Sequence, residues 1–349
     1  MAILSTFAAL ATLRCGILSN RHVRIVRPKG SRMVASNGHR EETSDRDRFN
    51  AMEHRNWEHG FESYHQWFGP LTRQPIPALL AHADFPPSAD GGEGGRTVRL
   101  LDVGTGPGFV LSAAIDNALS TDAKRQSFQL TGLDISKNFL SLAEKRIRSQ
   151  LQREQWHSEK IMVDFVEGTA ELLPFSAEIF DSIVCNFGIL HFFNPEAFLR
   201  ESYRVLRPGG KVSFTAWAPP TRTEGFRIAL ESIAEAGNPN VEGMPDGPYF
   251  FDFGNPEHAM KVLRSIGFEN AASVELCEMK WFNVKDGDTL HDILLKGTSR
   301  TREILLGQSP EEASAVKSLM IKKYDSITDG GRMPLSMPAI VSSGKKPFS

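Results

Sequence analysis

The fold of this chain is decided by RLLDVGTGPGF, the stretch from Arg99 to Phe109. Its apolar residues Leu100, Leu101 and Val103 predict a buried strand, which is followed by a glycine-rich turn and the start of a helix. Glycines at 104, 106 and 108 leave no side chains between the backbone and a ligand at the carboxyl end of the strand. The stretch therefore predicts an open α/β sheet with a small-molecule site at this turn.

The spacing of the glycines distinguishes between cofactors. The dinucleotide fingerprint G-x-G-x-x-G requires glycine where this chain has Phe109, so a nicotinamide oxidoreductase is a distant alternative. A G-x-G-x-G turn preceded by an acid resembles the first motif of the class I S-adenosylmethionine-dependent methyltransferases. The resemblance implies that the cofactor is S-adenosyl-L-methionine. The residues that it places in the cofactor site are Asp102, Gly104, Thr105 and Gly106.

A second strand ending in an acid follows in LTGLDIS, from Leu130 to Ser136. In a doubly wound fold the second strand lies beside the first, and an acid at its tip can accept two hydrogen bonds from a ribose diol. The methyltransferase resemblance gives that role to Asp134 and lets Ile135 pack against the adenine. The alternative is that Asp134 only caps the following helix, a position for which Ser136 is equally placed.

The third motif is VEGTAELLPF, from Val166 to Phe175. In many methyltransferases of this class, a short acid or amide at the place of Thr169 binds the amino edge of the adenine together with the neighbouring backbone. A hydroxyl accepts a hydrogen bond but carries no charge. The resemblance therefore implies a weaker contact through Thr169, or one through the backbone of Ala170.

The fourth motif is FDSIVCNFGILHF, from Phe180 to Phe192. The resemblance places Asn186 at the carboxyl end of this strand, where the family often uses a backbone carbonyl to hold the methionyl ammonium. Methyltransferases of nucleic-acid base amines usually carry N-P-P-Y or D-P-P-Y here, whose prolines and aromatic ring clamp a flipped base. The sequence Asn-Phe-Gly-Ile lacks both prolines, which argues against a base amine as the acceptor.

The fifth motif is LRPGGKVSFTAW, from Leu206 to Trp217. Its Arg-Pro-Gly-Gly turn resembles that of the type 11/25 methyltransferases and of the ubiquinone and menaquinone biosynthesis group. The family resemblance implies an α/β fold with a Rossmann-like, seven-stranded, mostly parallel sheet, helices on both faces, and N- and C-terminal helical lid elements. We expect the last two strands at Ala272 to Leu276 and at Met279 to Val284.

The composition argues against several other functions. A formal net charge of −2 does not indicate the excess of basic residues that is typical of nucleic-acid-binding proteins. The three cysteines are widely spaced and form neither a disulfide framework nor a zinc pattern. No stretch of about eighteen apolar residues is present to span a membrane. We therefore expect a small-molecule acceptor, no nucleic acid, no metal and no membrane span, while the oligomeric state stays open.

The first 40 residues differ from the rest in charge. They contain seven basic residues and no acid, which leaves 33 basic against 42 acidic residues, a formal charge of −9, for the remainder. An Arg-rich, acid-free leader resembles an organellar transit peptide, and a disordered extension is the alternative. We expect an intracellular, soluble protein that is cytoplasmic or, through this leader, mitochondrial or plastid.

Changes in composition divide the chain into segments. The glycine-rich run at 91–95 separates an N-terminal helical cap from the catalytic sheet. The expected segments are a basic leader at 1–40, the cap at 41–90, a class I methyltransferase domain at 96–285 with a substrate-lid insertion at about 219–270, and a C-terminal helical appendage at 286–349.

The acceptor site is expected between the cap and the insertion, where aromatic residues concentrate. An apolar, aromatic pocket suits a small organic acceptor. In the cap, an aromatic stripe from Trp57 to Leu71 recurs at helical spacing, and Gly69-Pro70 is predicted to end that helix. The alternative is that these side chains only fill a core. The candidate linings are Trp57, Tyr64, Phe187, Trp217, Tyr249, Phe250 and Trp281.

The catalytic residues are not assigned by these motifs. In-line displacement requires mainly the alignment of the reactants and the exclusion of water. His191, just past the fourth strand, is a candidate base, with a structural role as its alternative. The chain is thus predicted to transfer the methyl group of S-adenosylmethionine to a small organic acceptor. A non-catalytic binding or assembly protein of the same fold and a protein methyltransferase are the alternatives.

Overall fold

The computed structural model describes residues 23–26, 44–87, 96–120, 126–153 and 160–348. Most of its strands belong to one sheet, and two short strands pair separately. The strands are β1 (Val23–Val26), β2 (Thr97–Val103), β3 (Ser127–Asp134), β4 (Ile161–Glu167), β5 (Phe180–Asn186), β6 (Leu206–Trp217), β7 (Glu269–Leu276), β8 (Lys280–Trp281), β9 (Leu335–Ser336) and β10 (Ala339–Lys345).

Helices cover both faces of this sheet and the carboxyl ends of its parallel strands. None of the helices in the described ranges is long and apolar enough to cross a membrane. They are α1 (Asp45–Ser63), α2 (Gly69–Thr72), α3 (Ile76–His82), α4 (Phe109–Ser120), α5 (Lys137–Arg153), α6 (Pro195–Val205), α7 (Glu224–Ala236), α8 (Pro256–Ile266), α9 (Gly287–Gly297), α10 (Arg300–Leu306) and α11 (Pro310–Thr328).

The sheet confirms the expected fold class. Its order is β1-β4-β3-β2-β5-β6-β10-β7, parallel from β1 to β6 and antiparallel on both sides of β10. Adjacent residues of β2 point to opposite faces, as in any strand. Leu100 packs into the cluster that holds α3, α4 and α5, and Leu101 into the cluster that holds α6 and α8. Because both faces are covered, the central strands carry apolar residues on both faces.

The number of strands corrects the sequence prediction at the first edge. Within the described residues the sheet has eight strands and not seven, because Val23–Val26 pairs in parallel with β4. The Arg148 guanidinium donates to the carbonyl oxygen of Val23 over 3.2 Å. The short strand lies inside the predicted leader, whose other residues lie outside the described ranges.

The other edge corrects the prediction for the last strand. Met279 to Val284 does not join the sheet, since only Lys280–Trp281 is extended there and it pairs with Leu335–Ser336. The strand between β6 and β7 is instead Ala339–Lys345, so the segment expected as a helical appendage also supplies the sheet. This strand was not predicted because its sequence is rich in serine. Ser342 and Ser343 are buried, and the Ser342 hydroxyl forms a hydrogen bond of 2.7 Å with the Ser273 hydroxyl on β7.

The N-terminal cap corrects a predicted helix end. Gly69-Pro70 does not end the helix, because a π-helical turn at Tyr64–Phe68 connects α1 to α2, which ends at Thr72. The Gly69 N–H bonds to the Tyr64 carbonyl, and Pro70, which has no N–H to lose, fits the first turn of α2. Single π turns are frequent at functional sites, and this one places Tyr64 on a cavity wall.

Candidate active site

A cavity of about 850 Å³ lies beyond the carboxyl ends of the parallel strands. One end is lined by the turns that follow β2, β3, β4 and β5. The opposite end is lined by α1, by the loop at 239–251 and by residues at the start of α10. We call these the cofactor half and the aromatic half. The volume lies in the range of sites that enclose small molecules.

The glycine turn forms the floor of the cofactor half. Gly104 and Gly106 line the cavity with φ angles of +69° and +48°, in the left-handed region that favours glycine. The N–H groups of Gly104 and Thr105 donate to the Leu133 carbonyl oxygen over 2.8 and 3.0 Å, which fixes the turn against β3. The bare backbone at Gly104 and Gly106 lets a ligand approach the turn closely.

Asp102 and Thr105 lie behind the turn and not on the cavity wall. The Thr105 hydroxyl donates to Asp102 Oδ2 over 2.7 Å, and both residues are buried. Among the residues that the structure describes, none donates to Asp102 Oδ1. Burial raises the pKa of Asp102 to about 7, and the charge of Asp134 adds to the rise. Asp102 therefore supports the turn from within the sheet.

Asp134 lines the cavity at the tip of β3. Its Oδ2 accepts from the Gly106 N–H over 2.8 Å and its Oδ1 from the Ser136 N–H over 2.9 Å. Burial raises its pKa to about 6 against the lowering effect of these bonds. Each oxygen retains a second lone pair for a ligand. The N-cap bond of α5 comes from Ser136, whose hydroxyl accepts from the Phe139 N–H, so capping does not require the Asp134 side chain.

The turns after β4 and β5 complete the cofactor half. Ile135, Thr169 and Ala170 line the cavity together with Asn186. The Asn186 side chain is held at both ends, because its Oδ1 accepts from the Thr215 hydroxyl and its Nδ2 donates to the Thr72 carbonyl, each over 2.8 Å. All nine cofactor-site residues predicted from the first four motifs thus converge on this half, seven on its wall and two behind the turn.

The aromatic half is lined by rings from distant parts of the chain. Phe187 stacks on Trp217 with the ring centroids 4.0 Å apart. Six of the seven predicted aromatic residues line the cavity, whereas Trp281 is buried in the core and donates to the Trp67 carbonyl oxygen over 3.0 Å. The rings that sequence reasoning missed are Phe49, Phe68, Phe139, Phe192, Phe226 and Phe251.

A group of charged residues that sequence reasoning also missed lies against His191. Glu53 of α1 is 2% exposed, and its Oε2 lies 3.1 Å from His191 Nδ1. The Nε of Arg300 lies 3.5 Å from Glu53 Oε1. No sequence motif links these residues, because Glu53 and Arg300 stand 247 positions apart. Burial raises the pKa of Glu53, but His191 and Arg300 together bring it below its ordinary value.

The sequence is similar to known methyltransferases. A family model described as "Methyltransferase domain" matches residues 101–214. The demethylmenaquinone methyltransferase of Chlorobaculum tepidum is 33% identical over 188 residues, which cover 51% of this chain and 69% of that protein. A demethylmenaquinone methyltransferase of Deinococcus radiodurans is 27% identical over 179 residues, covering 49% and 67%.

Solved structures show the same fold. The crystal structure of the cyclase SpnF matches with a TM-score of 0.50 at 18% identity and covers 88% of this chain and 98% of that one. At this identity the match concerns the fold alone. Identity to the Chlorobaculum enzyme over more than two thirds of its length, together with the family model, establishes the relationship. The chain therefore belongs to the class I S-adenosylmethionine-dependent methyltransferases.

Proposed function

We propose that this enzyme transfers the methyl group of S-adenosylmethionine, by in-line displacement, to a small aromatic acceptor held in the aromatic half of the cavity. The observation that carries the proposal is the continuity of the cavity: the glycine turn and Asp134 lie at one end of the same cavity that Trp57, Trp217 and Phe250 line at the other. A cofactor and an acceptor bound in the two halves therefore meet within one cavity.

The residues of the cofactor half fit S-adenosylmethionine. Gly104 and Gly106 have no side chains, so a ligand can lie against the backbone where a larger residue would exclude it. Asp134 has lone pairs for the two ribose hydroxyls, and Ile135 supplies an apolar surface for the adenine. Thr169 and Ala170 are the candidates for the adenine edge. When bound, the cofactor supplies a methyl group on a sulfonium, whose positive charge disperses as the methyl leaves.

Asn186 is proposed to orient the methionyl end of the cofactor through its backbone carbonyl. Its side chain is locked by Thr72 and Thr215, so the backbone at the end of β5 is fixed. Phe187 follows with a φ of +57° and donates its N–H to the Thr215 hydroxyl over 2.8 Å. This backbone conformation turns the Phe187 ring onto Trp217, at the junction of the two halves.

The charges of the aromatic half favour an uncharged acceptor. Glu53 is paired with His191 and Arg300, and Arg46 is paired with Glu171 over 2.8 Å. Each of these two arginines has a carboxylate partner within the protein, so the pairs offer no excess cation for a phosphate group. The rings around them provide apolar area and aromatic stacking. The demethylmenaquinone methyltransferases that the chain resembles are named for a quinone acceptor, which fits walls of this kind.

The first experiment is isothermal titration of the purified full chain with S-adenosylmethionine, with NADH as the control. We expect the first to bind and the second not to bind. Transfer of labelled methyl from S-adenosylmethionine is then measured with catechol, 1,4-naphthohydroquinone and benzylamine as acceptors. Turnover of a phenolic acceptor supports the proposal. Label transferred only to added protein favours a protein methyltransferase, and cofactor binding without any turnover favours a binding protein.

A further inference from the structure

The feature that the proposed function leaves unexplained is the contact between His191 and a fully buried carboxylate. Glu53 Oε2 accepts from the Trp57 indole N–H over 3.0 Å and lies 3.1 Å from His191 Nδ1. Its other oxygen faces Arg300. A carboxylate with 2% exposure costs free energy unless it is paired and hydrogen-bonded. In this cavity it is paired with a histidine that lines the wall.

We infer that His191 is the general base that takes a proton from the acceptor hydroxyl, and that Glu53, held by Arg300, is its positioning residue. This inference rests on the proposed function, because it names the chemical class of acceptor for the same site. The acceptor is a phenol or hydroquinone that arrives protonated and requires a base before it attacks the methyl group.

The hydrogen bond to Glu53 determines the tautomer of His191. An ionised carboxylate only accepts hydrogen bonds, so the ring nitrogen that faces it carries the proton. His191 Nδ1 is therefore the N–H donor, and Nε2 is the nitrogen that can accept a proton. The contacts of Glu53 keep its pKa below the ordinary value in spite of burial, so this arrangement persists across neutral pH.

Packing holds the imidazole in one orientation. Trp57 and Phe250 meet the His191 ring edge to face, with centroids 4.8 and 5.6 Å away. Arg300 donates to the carbonyl oxygen of Leu190 over 3.1 Å, which fixes the backbone one residue before the histidine. A base held on three sides needs little reorganisation to meet a bound hydroxyl.

The proposed step conserves protons and electrons. The acceptor O–H bond breaks and its proton moves to His191 Nε2, while the oxygen, or the ring carbon that shares its negative charge, forms a bond to the methyl carbon. When the ring carbon attacks, its C–H bond then breaks, that proton passes to water, and the oxygen takes up a proton, which restores the aromatic ring. The sulfur–methyl bond breaks and its electron pair stays on sulfur. The imidazolium that results is stabilised by the adjacent Glu53 carboxylate, and its proton passes to water when the products leave.

Several other ionisable groups share the cavity and bear on its pH dependence. From α1 these are Arg46 and His54, from the turn after β4 Glu171, and from the loop at 239–251 Asp246. Arg46 and Glu171 form a pair. His54 lies on an exposed position of the same helix as Glu53 and also lines the cavity, so the test must separate its contribution from that of His191. The variant His54→Asn provides this separation.

The first test requires no acceptor. The full chain is labelled with isotopic histidine, saturated with S-adenosylhomocysteine, and its ten histidines are observed by NMR, with His191→Asn identifying the signal of interest. We expect the wild type to carry the proton on Nδ1 of His191 and Glu53→Gln to change that distribution. His59→Asn, an exposed substitution on α1, should leave the His191 signal unchanged. A wild-type signal with the proton on Nε2 would overturn the inference.

The second test measures kinetics with the phenolic acceptor that turns over most rapidly. We expect His191→Asn to lower kcat by about 100-fold or more, the usual contribution of a general base, with cofactor affinity unchanged in calorimetry. The acidic limb of the pH profile should disappear in that variant and stay in His54→Asn. Unchanged kcat in a folded His191→Asn would overturn the inference. Loss of cofactor binding in the wild type would instead overturn the proposed function, so the two failures are distinguishable.

Discussion

The two halves of the cavity are assembled by different means. In the cofactor half, the defining hydrogen bond joins the Gly106 N–H to Asp134, only 28 positions along the chain. Gly106 lies in the turn that follows β2, and Asp134 is the last residue of β3. In the aromatic half, the defining ion pair joins Glu53 to Arg300 across 247 positions. The first half depends on local backbone conformation, and the second depends on the docking of α1, the loop at 239–251 and α10. Substitutions in the two halves should therefore affect different properties.

The largest effect is expected from Arg300→Met, which tests whether the aromatic half is held together by its ion pair. The variant leaves the buried Glu53 carboxylate without a guanidinium partner and removes the hydrogen bonds from Arg300 to Pro248 and Leu190. Loss of one partner of a buried pair typically costs about 3–5 kcal/mol. We expect a loss of that size in the free energy of unfolding, measured by urea denaturation.

The matched control is Arg55→Met, which also removes an arginine that joins α1 to α10. Arg55 lies 3.3 Å from Glu303, but its side chain is 56% exposed, whereas that of Arg300 is 13% exposed. Exposed pairs contribute about 0–1 kcal/mol. Equal losses in the two variants would show that the aromatic half does not depend on the buried pair.

Asp134→Ala is expected to have the next largest effect, this time on the cofactor half. Removal of a charged acceptor of two ribose hydrogen bonds should weaken the binding of S-adenosylmethionine by about 2–4 kcal/mol in isothermal titration. Asp134→Asn keeps the shape and should lie between the wild type and the alanine variant. Because the carboxylate also holds the Gly106 and Ser136 N–H groups, folding of each variant is checked by circular dichroism.

The control for this prediction is Asp164→Ala on the neighbouring strand β4. Asp164 is as buried as Asp134 but accepts from Gln129 within the sheet and does not line the cavity. Cofactor affinity should stay at the wild-type value in this variant. An equal loss of affinity in both variants would place the effect in the sheet and not in a ribose contact.

The contrast between the halves also explains what the sequence could predict. Gly104 and Gly106 follow one strand at characteristic spacing and Asp134 ends the next, so a local pattern of residues was sufficient to locate them. Glu53 and Arg300 are single charged residues on ordinary amphipathic helices, and only the tertiary fold reveals that they meet. Sequence reasoning raised His191 as a candidate base but had no means to find its partner.

The sheet shows the same limit. β2, β3 and β5 were predicted because parallel strands buried on both faces are rich in apolar residues. Ala339–Lys345 was missed, because its Ser342, Ser343 and Gly344 resemble a loop until β6 and β7 are placed on either side. Asn255 and Gly267, which cap α8 at its two ends, are residue types that favour these positions, so such helix ends can be recognised from the sequence. The predicted helix end at Gly69-Pro70 was wrong, because the π-helical turn at Tyr64–Phe68 leads directly into α2.

Asp102→Asn tests whether the buried carboxyl group behind the glycine turn lowers the stability of the folded protein. An aspartate in the unfolded chain ionises near its ordinary pKa, while burial raises the pKa of Asp102 in the folded protein to about 7. Between these values the folded state holds a proton that the unfolded state has released, so this residue lowers stability as the pH rises through about 7.

The asparagine variant does not titrate at this position. Its free energy of unfolding should therefore improve relative to the wild type between about pH 5 and pH 8, by about 1–3 kcal/mol, in urea denaturation at a series of pH values. Asp116→Asn on α4 is the control, since it makes the same substitution at an exposed position. A constant difference for Asp102→Asn would mean that its carboxyl stays ionised in the folded protein.

The smallest effect is expected at Thr169, where the chain departs from the aspartate that is frequent in its family. Thr169 lines the cofactor half on an exposed turn, and the nearby Glu171 carboxylate is already paired with Arg46. A carboxylate in place of the hydroxyl should accept a stronger hydrogen bond from the adenine amino group. We expect Thr169→Asp to tighten the binding of S-adenosylmethionine by about 1 kcal/mol in isothermal titration.

Thr169→Ala decides how this gain is interpreted. If the hydroxyl makes the adenine contact, the alanine variant should bind more weakly than the wild type, and the aspartate variant more tightly. If both variants bind as the wild type does, the hydrogen bond to the adenine amino group comes from the backbone of Ala170, and no side chain contributes to it. In that case the cofactor half would depend on backbone conformation at this turn as it does at Gly104 and Gly106, and the contrast with the aromatic half would be sharper.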